Sequence, residues 1–387
     1  MPGKSASTRD RLIFVDAGRG GAMVFVLLSH FGGVYFQPVS DTALPHFIES
    51  VTMVASPTFM IISGLLLGFL CTTKPNRVDQ FRQKLWDRGL FLLTVGHVAI
   101  ALAFVLFKGS FRYVFITDAV GVSMLVGAYL VDKLTPRGRL ILSAGAYLLS
   151  WAAIAWWHPH ATWARYVTEG LFGTAGHGVY LYSFPLVPWF SVYFASSVIG
   201  ERLGTMYLNG DVPRIARALF RGGLAAAAAA CAIKATFKLS QNLFDVVPPD
   251  EAVTSLMLAV HGKMPPSPVY LLFYGGIGLV MLSAFCAAEL RHPNAKALKL
   301  AGTIGRNSLF VFILQFYVYY VVLDRLHLTP GVLWPLYLLA SVVFIVAATI
   351  AYDRRGYSRF MTVGLPRFQH RLHHIATALA GLIAIGR

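Results

Sequence analysis

The chain has 387 residues, of which 56% are hydrophobic and only 13% are Asp, Glu, Lys or Arg, and its net charge is +16. Its mean hydropathy is +0.62. This composition excludes an assembly of soluble domains, because most of such a chain has to be solvated by lipid. We expect an all-α, polytopic membrane bundle that forms one integral-membrane domain over residues 1–387.

Apolar stretches of roughly 20 residues, the length that crosses a bilayer core, recur along the chain. The sequence predicts ten spans, near residues 17–37, 47–71, 89–107, 114–131, 140–157, 180–200, 221–238, 269–289, 303–323 and 330–352. A shorter apolar run at 374–386 favours an interfacial helix over an eleventh span.

The basic residues are unevenly distributed between the two sides of this predicted bundle. With a cytoplasmic N-terminus, most Lys and Arg residues fall in the inner segments, including a basic tail at 353–387. The positive-inside rule therefore predicts that both termini are cytoplasmic and that the tail lies against anionic headgroups. Since topology accounts for the basic excess, we expect no nucleic-acid partner.

The cysteines and the first apolar run bear on disulfide bonds, metal binding and signal-peptide cleavage. Cys71, Cys231 and Cys286 lie far apart without paired spacing, so we expect neither disulfides nor a metal site. The first apolar run contains Asp16 and Arg19, which argues against a cleavable signal peptide.

The first predicted helix carries Asp16, Arg19 and His30 in an otherwise apolar run, and ionisable residues at membrane depth indicate function. The 11-residue step from Arg19 to His30 puts both on one helix face, about 16 Å apart along the axis. Asp16 lies three residues before Arg19 and can pair with it. A guanidinium could hold a phosphate or carboxylate of a donor, while the imidazole acts as base or nucleophile. The alternative is structural, with His30 bonding to a neighbouring helix and the Asp16–Arg19 pair ending the span.

Five short phrases occur in order along the chain: Val15–Gly20 (VDAGRG), Ser56–Gly64 (SPTFMIISG), Tyr182–Phe190 (YSFPLVPWF), Lys263–Ser267 (KMPPS) and Gly305–Phe310 (GRNSLF). Together with the arginine, ten residues and histidine of the first helix, they resemble the acyltransferase-3 family. Its relatives include heparan-α-glucosaminide N-acetyltransferase-like proteins and periplasmic-glucan succinyltransferases.

This resemblance implies acyl transfer across the membrane, from cytoplasmic acyl-CoA to a hydroxyl or amine of an extracytoplasmic glycan or glycolipid. The acyl group would be acetyl or succinyl, acyl-CoA would be a co-substrate with no permanently bound cofactor, and the location would be a bacterial inner membrane. His30 would be catalytic with Arg19 and Asp16, and Arg19, Arg88 and Arg306 would bind the CoA phosphates.

Four residues are candidates for binding the acceptor. Glu49 and Asp118 are acids expected to be buried or nearly so, able to orient His30 or bind a sugar hydroxyl. Trp189 could stack on a sugar ring or belong to an interfacial aromatic belt. Lys263 could meet an anionic acceptor or be a solvated loop lysine.

Two departures from the family pattern matter. Gln315 stands where relatives often have histidine, and it cannot act as a base near neutral pH. Ser191 replaces the usual glycine. Two other functions compete with acyl transfer: a proton-coupled transporter or flippase using the intramembrane ionisable residues, and a haem protein with His30 and His97 as ligands.

Overall fold

The computed structural model describes residues 12–174, 178–244 and 251–358, which consist almost entirely of helices. The α-helices are α1 Ile13–Tyr35, α2 Ala43–Thr52, α3 Ala55–Thr73, α4 Val78–Phe91, α5 His97–Lys108, α6 Ile116–Leu130, α7 Pro136–Trp156, α8 Thr162–Leu171, α9 Leu186–Leu208, α10 Val212–Phe244, α11 Glu251–Leu258, α12 Pro268–Arg291, α13 Lys296–Arg306, α14 Ser308–Phe316 and α15 Trp334–Arg354. Two π-helical segments, Leu92–Gly96 and Tyr317–Leu323, join α4 to α5 and extend α14. The predicted all-α, polytopic bundle is confirmed.

The helices of the structure give fewer membrane-span candidates than the ten that the sequence predicts. Among the described residues, seven helical segments are long and apolar enough to cross a membrane, and an eighth candidate joins α13 to the 308–323 helix across a 71° bend. Each of the ten predicted stretches coincides with a helix, but α6 has only 15 residues and α9 is long enough yet less apolar. Ten spans therefore stays a prediction.

Helix α1 lies at the centre of the bundle, in contact with α2, α3, α12, α13 and α14. Its approach to α13 requires small residues on both helices. A Cβ at Gly20 would run into the backbone carbonyl of Ala301, and one at Gly305 would run into the carbonyl of Asp16. Glycine lets helix backbones approach this closely in membrane bundles. The packing fixes α1 against α13 and so fixes the face that carries Arg19 and His30.

Two connections outside the helices pair through a short parallel sheet. Strand β1 (Tyr113–Val114) follows α5, and strand β2 (Tyr182–Ser183) precedes α9. Tyr113 lies opposite Tyr182 in the register. The pairing ties two loops that are far apart in sequence to one end of the bundle.

The segment before α12 is held by a compact hydrogen-bonded turn. Ser267 donates its backbone N–H to Gly262 and its hydroxyl to the carbonyl of Ala259, at 2.8 and 2.6 Å. Its Oγ also accepts the N–H of Tyr270, which caps α12 at its first turn. Lys263 lies inside this turn. The basic tail at 353–387 is described only as far as residue 358, and the predicted interfacial helix at 374–386 lies outside the described residues.

Candidate active site

A cavity of about 460 Å³ lies between α1, α3, α6, α14 and the segments around them. Arg19 and Arg88 line one end, which we call the Arg19 end. His30 lines the interior, and Lys263 and Lys108 line the other end, which we call the Lys263 end. The wall between the ends is mainly apolar, formed by residues that include Met23, Val26, Phe59, Leu92, Phe104, Phe115, Met124 and Phe312.

The imidazole of His30 is fixed by one hydrogen bond and an aromatic wall. Its Nδ1 lies 2.8 Å from Oε1 of Gln315 on α14, and the Gln315 side chain is completely buried. The rings of Phe316, Tyr320 and Phe312 lie 4.9, 5.7 and 6.0 Å from the imidazole, centroid to centroid. Because an amide oxygen can only accept, Nδ1 carries the proton in this contact, and Nε2 keeps its lone pair.

Two arginines from different helices meet at the Arg19 end. The Arg19 guanidinium reaches Ser63 of α3, with Nη2 3.4 Å from Oγ. Arg88 of α4 is close enough to Arg19 and Asp16 to interact electrostatically with both. Two guanidinium groups at the Arg19 end of a mainly apolar cavity form a site suited to phosphate or carboxylate groups.

The Lys263 end combines a cation with aromatic side chains. The ammonium of Lys263 lies 5.8 Å from the ring centre of Tyr182 and 5.7 Å from that of Phe184. It is also close enough to His30 for an electrostatic interaction. Tyr113, the register partner of Tyr182, lines the same end.

Asp16, predicted as a catalytic residue, and Arg306, predicted to bind CoA, do not line the cavity. Asp16 is buried in α1 and is close enough to Arg88 for an electrostatic interaction. Arg306 ends α13, where Nη2 donates to Oδ2 of Asp353 at 3.2 Å and to the hydroxyl of Thr303 at 3.2 Å. Arg306 thus joins α13 to α15 and is not brought to Arg19 and Arg88.

Three of the four predicted acceptor-binding residues also lie elsewhere. Glu49 is exposed, so the expectation that it is buried was wrong: α2 is a short amphipathic helix with this side chain on its exposed side. Trp189 is completely buried beside Phe184 and Tyr270, which leaves no ring face for a sugar. Of the four, Lys263 lines the cavity.

Asp118 is also buried away from the cavity lining, and its carboxylate already has partners. It accepts the backbone N–H of Phe115 at 2.8 Å and contacts Nδ1 of His97 at 2.9 and 3.0 Å. Since His97 is held by Asp118 and does not line the cavity, it does not share a site there with His30. This arrangement gives no support to a haem held between the two histidines.

Sequence reasoning missed several residues that complete the site. The role of Gln315 as partner of His30 was hidden, because the two residues are 285 positions apart. The aromatic wall and Tyr113 were missed because apolar and aromatic residues are common in every span. A useful signal was present all the same: each of the five family-like phrases supplies at least one lining residue, namely Arg19, Ser63, Phe184, Lys263 and Ser308.

The arrangement suits the transfer of a group between two anchored molecules. A ring nitrogen with a lone pair lies inside a largely apolar cavity, and cations occur at both ends. Such a site limits access of water to a reactive intermediate, while the cations position charged parts of the reactants.

Comparison with known proteins agrees with this chemistry. No curated protein matches the chain. A profile of the acyltransferase-3 family, described as an acyltransferase domain, matches residues 12–353, which include every residue named at the site. The chain therefore belongs to the acyltransferase-3 family and is an integral-membrane acyltransferase.

Proposed function

We propose that this acyltransferase uses cytoplasmic acyl-CoA and transfers the acyl group to a hydroxyl or amine of a glycan on the opposite side of a bacterial inner membrane. The observation that carries the proposal is the single cavity that joins Arg19 and Arg88 to His30 and His30 to Lys263. A donor can enter at one end and an acceptor at the other, so that both reach the imidazole.

The Arg19 end suits the CoA moiety of the donor. The CoA phosphates are held by the guanidinium groups of Arg19 and Arg88, in charge-assisted contacts. From Arg19 to His30 the helix rises about 16 Å, which is comparable to the length of an extended pantetheine arm. The thioester then lies beside His30 while the phosphates stay at the cavity mouth.

The hydrogen bond from Nδ1 to Gln315 leaves Nε2 of His30 as the reactive nitrogen. Nε2 takes the proton from the acceptor hydroxyl or amine as the acceptor attacks the thioester carbonyl carbon, the C–S bond breaks, and the proton passes to the leaving CoA thiolate. Alternatively, Nε2 attacks the thioester carbonyl carbon first, the C–S bond breaks and CoA leaves as a thiolate. The acyl-imidazole then passes its acyl group to the acceptor, and the proton that the acceptor loses protonates the thiolate. Both routes use the same nitrogen and release CoA as a thiol.

The uneven distribution of charge supports the direction of transfer. Because the basic segments favour a cytoplasmic N-terminus, the N-terminal part of α1, with Arg19, lies toward the cytoplasm. Lys263 and the β1–β2 pair then lie toward the outer side, where a glycan is accessible.

A matched pair of histidine variants tests the proposal. Envelope membranes are prepared from cells that lack the endogenous gene and express the wild type, His30→Asn or His97→Asn, and are permeabilised and given radiolabelled acetyl-CoA or succinyl-CoA. Asparagine can keep the contact with Gln315 or Asp118 but supplies no base. We expect His30→Asn to lower label transfer to the glycan fraction by about 100-fold or more, while His97→Asn retains most transfer. Full transfer by His30→Asn would overturn the proposal.

A further inference from the structure

The charges lining the cavity are all of one sign. Among the described lining residues, Arg19, Arg88, Lys108 and Lys263 are cationic, and none is Asp or Glu. The two arginines serve the donor phosphates in the proposed function. The two lysines lie at the opposite end, where those phosphates do not reach.

Lys263 is held in place without a counterion among the described residues. No carboxylate of the described residues lies within ion-pair distance of its ammonium, which is placed instead near the rings of Tyr182 and Phe184. The hydrogen-bonded turn from Gly262 to Ser267 fixes the backbone on both sides of the lysine. Because a partly buried cation without a partner is costly, this position favours an anionic ligand.

Tyr113 provides a second, independent indication of a ligand at this end. Its side chain is only 5% exposed, lines the cavity, and has a buried hydroxyl with no hydrogen-bond partner among the described residues. Desolvation raises the pKa of the Tyr113 phenol, against the opposing charge of Arg112, so the hydroxyl stays protonated. A buried phenol of this kind can donate a hydrogen bond to an acceptor atom of a ligand at the Lys263 end.

We infer that Lys263 and Tyr113 form an anion subsite at this end of the cavity, which binds a carboxylate or other acidic group of a substrate. The inference rests on the proposed function and narrows its substrates. The anion has two sources: the distal carboxylate of a dicarboxylic acyl group such as succinyl, or an acidic group of the acceptor glycan. An acetyl group on a neutral acceptor would leave the subsite unused.

Lys263→Gln tests the inference in the same membrane assay. Lys133→Gln is the matched control, because Lys133 also lies over an aromatic ring, 3.3 Å from the centre of Tyr129, but does not line the cavity. If the acyl group supplies the anion, Lys263→Gln lowers the succinyl-to-acetyl ratio of kcat/KM by about 10-fold or more, the loss typical of a hydrogen bond to a charged group. If the acceptor supplies the anion, Lys263→Gln leaves the succinyl-to-acetyl ratio unchanged. Mass spectrometry then shows that the ratio of acylated acidic glycans to acylated neutral glycans falls by a similar factor.

A binding measurement separates this inference from the proposed function. Succinate alone should raise the thermal midpoint of the purified wild type and of Lys133→Gln, but not of Lys263→Gln, and the uncharged analogue succinamide at the same concentration should raise none of them. Equal effects of succinate on all three, with both substrate ratios unchanged, would overturn the subsite. Transfer that depends on His30, but whose succinyl-to-acetyl and acidic-to-neutral ratios are the same in the wild type and in Lys263→Gln, would contradict the subsite alone. Transfer independent of His30 would contradict the proposed function.

Discussion

The imidazole of His30, which we propose as the reactive group, is held by a neutral partner. Gln315 accepts from Nδ1 of His30 at 2.8 Å, and its amide cannot carry a charge at neutral pH. In a catalytic triad a carboxylate holds the histidine tautomer and also stabilises the imidazolium. Gln315 can supply only the first of these, so we interpret it as a positioning residue that aims Nε2 toward the thioester.

Removing the amide should therefore affect the chemical step and not donor binding. We expect Gln315→Leu to lower kcat by up to about 100-fold through loss of orientation, with the KM for acetyl-CoA nearly unchanged. Gln315→His keeps a ring nitrogen that can accept a hydrogen bond and should recover part of kcat. Steady-state kinetics on purified protein, with thermal midpoints as a check on folding, distinguishes this role. An unchanged kcat in Gln315→Leu would show that the contact is unimportant.

At the scale of elements, the site depends on how closely α1 approaches its neighbours. Gly20 faces the backbone of α13, one residue beyond Arg19, and the two helices leave no space for a side chain there. A shift of α1 would move Arg19 and His30 together, because both belong to the same helix. Stability and donor geometry are therefore coupled through this contact.

Two glycines of α1 allow a direct comparison. Gly20→Ala places a methyl group against the carbonyl of Ala301 and should lower the free energy of unfolding by about 1–3 kcal/mol. Gly33→Ala is the control, since a Cβ there meets no atom within 4 Å, and alanine favours a helix by about 1 kcal/mol or less. Thermal unfolding in detergent measures both. Equal midpoints for the two variants would contradict close packing of α1 on α13.

The helices could be predicted from the sequence because a run of apolar residues is a local property. The bend between α13 and α14, the π-helical segments and the β1–β2 pairing could not be, since each depends on contacts between distant parts of the chain. The two residues of α1 with a definite helical spacing, Arg19 and His30, share the cavity as their geometry predicts. Trp189 lies buried and Arg306 pairs with Asp353, away from the cavity lining, and the sequence could not predict this because it does not reveal which neighbouring helix covers a residue.

At the scale of the whole molecule, the cavity places its two pairs of cations at opposite ends of a mainly apolar space. From the charge bias of the connecting segments we propose that the Arg19 end of the cavity lies toward the cytoplasm. The family match and the helices establish a membrane acyltransferase. Its use of acyl-CoA from one side of the bilayer for an acceptor on the other is the central proposal.

Sealed, right-side-out membrane vesicles test that proposal most directly. Vesicles from cells expressing the wild type or His30→Asn are loaded with radiolabelled acetyl-CoA or succinyl-CoA, which does not cross the bilayer, and label is then measured in glycans accessible from outside. We expect wild-type vesicles to label these glycans from the internal pool of acyl-CoA. In His30→Asn vesicles the label should be lower by about 100-fold or more. Equal labelling by both, or labelling only when acyl-CoA is supplied from outside, would contradict transfer through this site.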